Sequence, residues 1–409
     1  SRRGPQRTGR GSGHGGAQTA IGLRKQGFHG SIGLLDRSRA LPYERPPLSK
    51  EYLSGEKTFE RILIRPEKFW RDRDVHLLGG SNVSSLDPLV KTISCGNGQE
   101  YAYEQLVWSA GGDAKRLICD GSDLRGVHTV RSKEDVDALI YDMKAGTERC
   151  TIIGGGYIGL EAAAVFRKLG HEVVLVEAFN RVLSRVTGPE VSRFIQNEHV
   201  SREVKIHLES GVRCIEGDGG LLTGVVLETG EVIQTDIVLV GIGIEPCIDA
   251  LAKAGAETAN GVVVDEYCQT TLPGVYAIGD CAAHINPFAD GQRIRLESVQ
   301  NANDMASVVA SVICGNFEPY HATPWFWSDQ YDLKIQTVGL SAGYDDSVTR
   351  GDPSNRSFSI VYLKNGKVVA LDCVNSMKDY VQGRRLVETG LVAAREDLAD
   401  TSRQLKELL

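Results

Sequence analysis

The sequence lacks a C-x-x-C pair of cysteines and any long apolar run. Its nine cysteines are an odd number, scattered from Cys95 to Cys373, which disfavours a disulfide framework and a zinc ribbon. No apolar stretch approaches the roughly 20 residues of a membrane-spanning helix. We therefore expect no metal site and no membrane association, and the cysteine pattern favours a reducing cytoplasm.

An excess of positive charge is also missing, since the formal net charge is −7. This balance argues against a general nucleic-acid binder, although a local basic patch is compatible with it. The length of 409 residues exceeds one ordinary core, so we expect two or three domains. A hydrophobic content of 41% with 24% charged residues is typical of a globular protein.

The chain does have two glycine motifs of the form G-x-G-x-x-G. The first contains Gly11, Gly13 and Gly16, and the second contains Gly154, Gly156 and Gly159. Such glycines permit a tight turn, close approach of a pyrophosphate and close helix–strand packing, while the following helix N-terminus attracts phosphate. Two motifs in one chain predict two nucleotide cofactors.

An acidic residue follows each motif at the distance expected for a ribose-binding carboxylate. Asp36 lies 20 residues after Gly16, and Glu177 lies 18 residues after Gly159. A carboxylate there binds ribose hydroxyls and repels a 2′-phosphate, so Glu177 favours NAD(H) over NADP(H). The alternative is that both are surface acids. An apolar strand precedes only the second motif, because residues 1–10 are basic and include a proline.

Asp280 follows a predicted strand, and we expect Cys281, Ala282 and Ala283 to begin a helix. By itself Asp280 is typical of a helix cap, but after two nucleotide motifs it also predicts a contact with an FAD ribityl hydroxyl. Cys281 is interpreted as a small buried residue.

Lys50 and Glu161 form the pair with mechanistic interest. Glu161 lies two residues after Gly159, where a nicotinamide must approach. A lysine near a flavin favours negative charge on the reduced ring, and a carboxylate would hold that lysine. The alternative is a surface salt bridge worth at most about 1 kcal/mol.

Two later segments show β patterns. Residues 205–231 alternate apolar and polar residues between glycines, which predicts antiparallel ribbons. Asn365-Gly366 between two apolar alternating runs predicts a hairpin, and the chain from about Tyr320 is expected to form an α+β domain.

Several segments resemble bacterial FAD-dependent ferredoxin reductases of the putidaredoxin reductase type. They are Tyr43-Glu44-Arg45-Pro46-Pro47-Leu48-Ser49-Lys50, Gly154-Gly155-Gly156-Tyr157-Ile158-Gly159-Leu160-Glu161, Val275-Tyr276-Ala277-Ile278-Gly279-Asp280-Cys281, Arg295-Leu296-Glu297-Ser298-Val299-Gln300-Asn301-Ala302 and Pro324-Trp325-Phe326-Trp327-Ser328-Asp329-Gln330. The resemblance runs from about Gly13 to the C-terminus.

The resemblance implies an α/β fold with two Rossmann-like nucleotide-binding domains, in the glutathione-reductase-like arrangement, plus a C-terminal α+β domain. The implied segments are 1–114 and 243–319 for FAD, 115–242 for NADH and 320–409 for the C-terminal domain. It also implies NADH as donor, bound FAD, and a [2Fe–2S] ferredoxin as acceptor. That ferredoxin would serve a haem-thiolate monooxygenase or a ring-hydroxylating oxygenase.

Site residues are carried over from the resemblance position by position. Those implied for FAD are Gly11, Gly13, Gly16, Asp36, Arg45, Lys50 and Asp280, with Glu297 and Trp327 close to the isoalloxazine. Those implied for NADH are Gly154, Gly156, Ile158, Gly159, Glu177 and Gly243. Lys50, Glu161 and Trp327 are the implied catalytic residues, with Trp327 on the acceptor side.

Two other functions remain open at this point. An NADH oxidase or peroxidase usually needs a redox cysteine near the flavin, and the segment around Lys50 has none. A redox flavoprotein resembling apoptosis-inducing factor would expose a basic surface, which a net charge of −7 disfavours. We expect a monomer.

A cluster of basic residues between positions 61 and 73 is a candidate docking site for an acidic ferredoxin. Its members are Arg61, Arg65, Lys68, Arg71 and Arg73. The alternative is a solvated helix face, since Glu60, Glu67, Asp72 and Asp74 are interleaved with them.

Overall fold

The computed structural model describes residues 13–144 and 146–409. These form two compact units. The first contains residues 13–44, Phe59–Asp113 and Glu245–Pro324, and the second contains Arg45–Thr58, 114–244 and Trp325–Leu409. Residues 1–10, which lack the apolar strand expected before the first motif, and Gly11 itself lie outside the described residues. The four predicted segments stay a prediction, and the grouping of residues 45–58 with the second unit was not foreseen.

The first unit begins with the helix His14–Lys25, which follows the first glycine motif. Small residues let it pack closely on the helix Val299–Ile313, because a Cβ on Gly22 would lie 2.9 Å from Cβ of Ala310. The shorter helices are Glu67–Arg71 and Asp249–Lys253, with 3₁₀ turns at Phe59–Ile62, Gly279–Cys281 and Pro287–Ala289.

The strands of the first unit form two parallel pairs and two small sheets. The parallel pairs are Ile32–Asp36 with Val75–Gly79, and Leu106–Trp108 with Val275–Ala277. The small sheets are Val83–Asp87, Thr92–Cys95 and Glu100–Ala102, and Thr258–Ala259, Gly261–Val263, Ala282–Asn286 and Gln292–Ile294.

The expected helix after Asp280 is wrong. A 3₁₀ turn, Gly279–Cys281, leads directly into the strand Ala282–Asn286. Ala282 and Ala283 pair with the strand Gly261–Val263 and are buried, so sheet pairing overrides their helix propensity.

The second unit contains a parallel sheet of five strands. Their order is Lys205–His207, Glu172–Val176, Arg149–Ile153, Ile237–Val240 and Val127–Thr129. The helices Lys133–Met143, Tyr157–Lys168 and Pro189–Val200 belong to this part of the chain. A capping box starts the first of them, because Ser132 and Asp135 each bind the other's backbone N–H.

The prediction of antiparallel ribbons over 205–231 is correct only in part. Val212–Asp218, Leu221–Leu227 and Val232–Gln234 form an antiparallel sheet. The strand Lys205–His207 instead pairs in parallel with Glu172–Val176. Three residues carry too short a pattern to indicate which sheet they join.

The C-terminal part of the second unit is an antiparallel sheet with helices, as expected. The strand order is Trp325–Gln330, Leu333–Gly339, Lys367–Val374, Ser357–Lys364 and Asp346–Asp352. The predicted hairpin is confirmed, with φ of 51° at Asn365 and 76° at Gly366. Helices Met377–Thr389 and Arg395–Ala399 and the 3₁₀ turns Pro46–Ser49, Pro353–Asn355 and Leu405–Leu408 complete the unit. Strands Gly112–Ala114 and Ile244–Pro246 contain the boundaries between the units.

Candidate functional site

The middle glycine of each motif is the N-cap of a long helix. Gly13 precedes His14–Lys25 and Gly156 precedes Tyr157–Lys168, both in extended backbone conformation. Glycine has no side chain to cap the first helical N–H groups, so these groups are available to bind a phosphate. The same geometry therefore recurs in both units.

The glycines of the second motif are required by close packing, with one exception. Gly154 has φ of +111°, and a Cβ there would lie 2.5 Å from the carbonyl O of Gly241. A Cβ on Gly159 would overlap the carbonyl O of Gly154. At Gly156, by contrast, no described atom lies within 4 Å of an added Cβ. The loop is tight behind the helix and open at its cap, which leaves room for a pyrophosphate.

Glu177 ends the strand Glu172–Val176 and turns its carboxylate back onto the glycine loop. Its Oε2 accepts a hydrogen bond from the N–H of Gly155 at 2.6 Å, and its Oε1 accepts from that of Phe179 at 2.9 Å. The side chain is buried. Each oxygen keeps a lone pair for a ribose hydroxyl, so Glu177 can both fix the loop and receive the ribose.

Two apolar side chains beside this loop are exposed. Ile158 is 40% exposed on the first turn of the helix, and Phe179 is 50% exposed two residues after Glu177. Gly243, with φ of +101°, has open space at its Cβ position within the described part of the chain. Exposed apolar groups beside a glycine loop are suited to cover the flat rings of a dinucleotide.

In the first unit, Asp36 is buried at the end of the strand Ile32–Asp36, and its Oδ1 accepts from the N–H of Ser38 at 2.6 Å. Gly16 is buried within the helix that Gly13 caps. An acid at the carboxyl end of a parallel strand suits a ribose.

Arg295 connects the other two acids predicted for FAD. Its Nη1 donates to the backbone carbonyl of Asp280 at 2.8 Å and forms an ion pair with Glu297 at 2.7 Å. Among the residues the structure describes, the Nε of Arg295 is buried without a partner. A buried guanidinium N–H of this kind fits a bound oxygen-rich group. Cys281 is fully buried, and burial raises its pKa to about 12, so it is a packing residue as expected.

Lys50 and Glu161 meet inside the second unit. The Nζ of Lys50 lies 2.6 Å from Oε2 of Glu161, and only 13% and 4% of the two side chains is exposed. The same Oε2 accepts from Oγ of Ser49 at 2.6 Å, and Oε1 accepts from Oγ of Ser328 at 2.7 Å. The pair is therefore buried, both oxygens of its carboxylate accept hydrogen bonds, and the alternative of a surface salt bridge is excluded.

Trp327 lies on the strand Trp325–Gln330, in which successive side chains point to opposite faces of the sheet. Trp327 is half-buried, and its ring centroid is 5.5 Å from that of Trp325. On the other face, Phe326 contacts Tyr157 at 4.6 Å and Ser328 reaches Glu161. Arg45, also in this unit, donates to the carbonyl O of Arg131.

Sequence reasoning missed Ser49 and Ser328 as partners of Glu161. Both lie in segments that carry the family resemblance. Ser328 follows Trp325-Phe326-Trp327, so on a strand it lies on the face opposite to the two tryptophans. This pattern indicates an inward-facing hydroxyl, but the residue that the hydroxyl contacts depends on tertiary packing.

Comparison with known proteins places these features in a family. The model of the pyridine nucleotide-disulphide oxidoreductase family matches residues 11–306, and that of the reductase C-terminal domain matches 325–409. The chain belongs to the pyridine nucleotide-disulphide oxidoreductase family. Its predicted fold class is thereby confirmed, and it is an oxidoreductase that uses FAD and NAD(H).

Relatives within this family are similar over nearly the whole chain. A 5,5′-dehydrodivanillate O-demethylase ferredoxin reductase subunit of Sphingobium sp. (strain NBRC 103272 / SYK-6) is 54% identical, covering 97% of both chains. The ferredoxin reductase of the CYP199A2 system from Rhodopseudomonas palustris has a TM-score of 0.94 and 37% identity, covering 97% of this chain and 98% of that one.

A third comparison involves a complex. The solved structure of the covalent putidaredoxin reductase–putidaredoxin complex has a TM-score of 0.94 with 34% identity, covering 97% of this chain and 96% of that one. The predicted family resemblance is therefore confirmed. No helix within residues 13–144 and 146–409 is long and apolar enough to cross a membrane.

Proposed function

We propose that this protein transfers electrons from NADH through bound FAD to a [2Fe–2S] ferredoxin that serves an oxygenase. The buried pair of Lys50 with Glu161, which lies on the helix after the second glycine motif, is the single observation that carries this proposal. Similarity to ferredoxin reductases over 97% of the chain supports it. One NADH would reduce two ferredoxins and release one proton.

The residues that would hold FAD belong to the first motif and its neighbours. The helix N-terminus at Gly13 would receive the pyrophosphate and Asp36 the ribose, with Gly11 completing the motif in sequence. Asp280 would accept a ribityl hydroxyl, and Glu297 and Arg45 would complete the set. FAD supplies a ring system that accepts a hydride and returns electrons singly.

The residues that would hold NADH belong to the second motif. Gly156 would admit the pyrophosphate, Glu177 would accept the ribose hydroxyls, and Ile158 and Gly243 would line the path to the nicotinamide. Arg181, the first arginine after Glu177, donates to the carbonyls of Ser184 and Thr187. That arginine is committed to its own loop, which supports NADH over NADPH.

Lys50 would place its ammonium beside the flavin, where positive charge favours the reduced anionic ring. Glu161 would hold the ammonium in place. No general acid or base is required of either residue, because hydride moves directly between two rings that the protein orients. Trp327 would stand on the side of the acceptor.

Ferredoxin docking is proposed for the basic cluster of the first unit. Its five members, Arg61, Arg65, Lys68, Arg71 and Arg73, are all exposed. The guanidinium carbons of Arg65 and Arg73 lie 5.4 and 3.8 Å from the ring centroid of Phe69, which orders two of the charges. We also propose that the protein acts as a monomer in the cytoplasm, where its nine cysteines stay free.

Spectra and turnover test this function. The purified protein should be yellow, and its flavin bands should bleach with NADH and far less with NADPH. Cytochrome c reduction should require an added bacterial [2Fe–2S] ferredoxin. Equal cytochrome c reduction without it, or rapid oxygen consumption, would instead indicate an NADH oxidase.

A further inference from the structure

A chain of hydrogen bonds leads away from Glu161 to Tyr331 within the second unit. Oγ of Ser328 donates to Oε1 of Glu161 at 2.7 Å, and Nε2 of Gln330 donates to Oγ of Ser328 at 3.2 Å. Oε1 of Gln330 is 2.9 Å from Nε2 of His199, and the hydroxyl of Tyr331 is 3.2 Å from Nδ1 of His199. Five residues from three segments are thus joined in one line.

The direction of every bond in this line is determined. The hydroxyl of Ser328 donates its single hydrogen to Glu161, so it must accept the hydrogen bond from the amide nitrogen of Gln330. The amide oxygen then faces His199, whose Nε2 must carry the proton. A neutral imidazole has its lone pair on Nδ1, which accepts from Tyr331. All four donors therefore point toward the Glu161 carboxylate.

Burial keeps the two titratable members in the states that this direction requires. It lowers the pKa of His199 to about 4, so the imidazole is neutral near pH 7. It also raises the pKa of Tyr331 to about 12, so the hydroxyl keeps its proton. Aligned hydrogen bonds in a low-dielectric interior polarise one another, so their effect on the terminal carboxylate is cumulative.

The placement follows from simple periodicity. Ser328 and Gln330 are two residues apart on one strand and share its inner face, while His199 lies on the last turn of the helix Pro189–Val200. Ser328, Gln330 and His199 are each 0% exposed. Three fully buried polar side chains in one connected network are costly unless all are satisfied, and here each finds its partner.

We propose that Ser328, Gln330 and His199 are positioning residues that fix the orientation of the Glu161 carboxylate, and thereby hold the Lys50 ammonium at the flavin. This inference rests on the proposed function, because it assumes that Lys50 acts on the flavin. A Glu161 carboxylate that loses its donors can rotate, and Lys50 follows it. The reduced flavin then loses part of its electrostatic stabilisation.

The midpoint potential of the bound flavin tests the proposal by spectroelectrochemistry on the holoenzyme. Ser328→Ala should make the potential more negative, in the same direction as Lys50→Met, which removes the ammonium outright, and by less. Ser328→Thr should restore it, because the hydroxyl is retained. Ser192→Ala is the matched control: Ser192 is also fully buried, but its hydroxyl donates to the carbonyl of Val182, so its loss should leave the potential unchanged.

The tautomer of His199 gives a second readout that is independent of turnover. ¹⁵N NMR of histidine-labelled protein, assigned with His199→Gln, should show a neutral ring with the proton on Nε2. A ring protonated on Nδ1 overturns the proposal. So does a wild-type potential in Ser328→Ala while Lys50→Met shifts it. If neither variant shifts it, the role of Lys50 in the proposed function fails and this inference with it.

Discussion

Nζ of Lys50 lies 2.6 Å from Oε2 of Glu161, although 111 residues separate them in the chain. The lysine follows the 3₁₀ turn Pro46–Ser49, and the glutamate lies on the second turn of the helix Tyr157–Lys168, which follows the second glycine motif. Two serines complete the coordination of the carboxylate. Such a buried pair contributes little net stability, and its placement beside the second glycine motif points to a role in positioning charge.

Removing the charge of Glu161 should leave the Lys50 ammonium buried and unpaired. We expect Glu161→Gln to lower the free energy of unfolding by about 3 kcal/mol. Urea unfolding of the holoenzyme measures this. The control is Glu203→Gln, because Glu203 is paired with Arg167 but is 82% exposed, and exposed pairs contribute about 0–1 kcal/mol. Equal losses in the two variants would contradict the prediction.

Two glycines of the second motif should respond oppositely to alanine. Gly156→Ala places a methyl in open space, so the protein should fold with a thermal midpoint close to that of the wild type. Because this space would admit the pyrophosphate, KM for NADH should rise at least about tenfold, equivalent to about 1.4 kcal/mol.

Gly159→Ala should instead destabilise the protein, because the added Cβ overlaps the backbone carbonyl of Gly154. Backbone cannot move aside as a flexible side chain can, so a marked fall in the melting temperature is expected. If Gly156→Ala bound NADH normally, the pyrophosphate would not occupy the space at this cap.

Replacement of Glu177 should weaken the discrimination between the two nicotinamide cofactors. Glu177→Ala removes the ribose acceptor and the repulsion of a 2′-phosphate. We expect kcat/KM for NADH to fall. The ratio of kcat/KM for NADH to kcat/KM for NADPH should decrease about tenfold, which corresponds to about 1.4 kcal/mol. Glu172→Ala, at the exposed start of the same strand, should leave the ratio unchanged. Steady-state kinetics with both cofactors decides.

Much of this site could be predicted from local sequence, since the glycine spacings and the following acids are local patterns. The two serine partners of Glu161 could not, because Ser49 and Ser328 come from segments far apart in the chain. The strand at Ala282 was missed for a related reason. Its pairing with Val262 is a tertiary choice that alanine's propensity opposes.

Ferredoxin turnover should depend on salt if the basic cluster steers docking. We expect KM for ferredoxin to rise when the ionic strength is raised, and to rise also in the double variant Arg61→Gln/Arg65→Gln. In both cases kcat should stay unchanged. The double change Arg384→Gln/Arg385→Gln removes equal charge from the C-terminal helix and should have little effect. A flat KM between low and high salt would favour the alternative of a solvated face, in which the four interleaved acids neutralise the field.

Acid should destabilise the protein through two buried histidines. Burial lowers the pKa of both His199 and His284 to about 4, whereas an unfolded histidine titrates near 6.5. Between those values the unfolded chain binds more protons, so stability is full above about pH 6.5 and falls as the pH drops toward 4. Each histidine should contribute a loss of about 2 kcal/mol between pH 7 and pH 5.

The histidine contributions can be separated by substitution. His199→Gln retains an N–H donor toward Gln330 but cannot titrate, so the loss measured by urea unfolding at the two pH values should shrink by that amount. His29→Gln provides the control, since His29 is exposed and its replacement should leave the pH dependence unchanged. An undiminished loss in His199→Gln would mean that His199 already binds a proton in the folded protein at pH 5, which is incompatible with its lone-pair contact to Tyr331 at that pH.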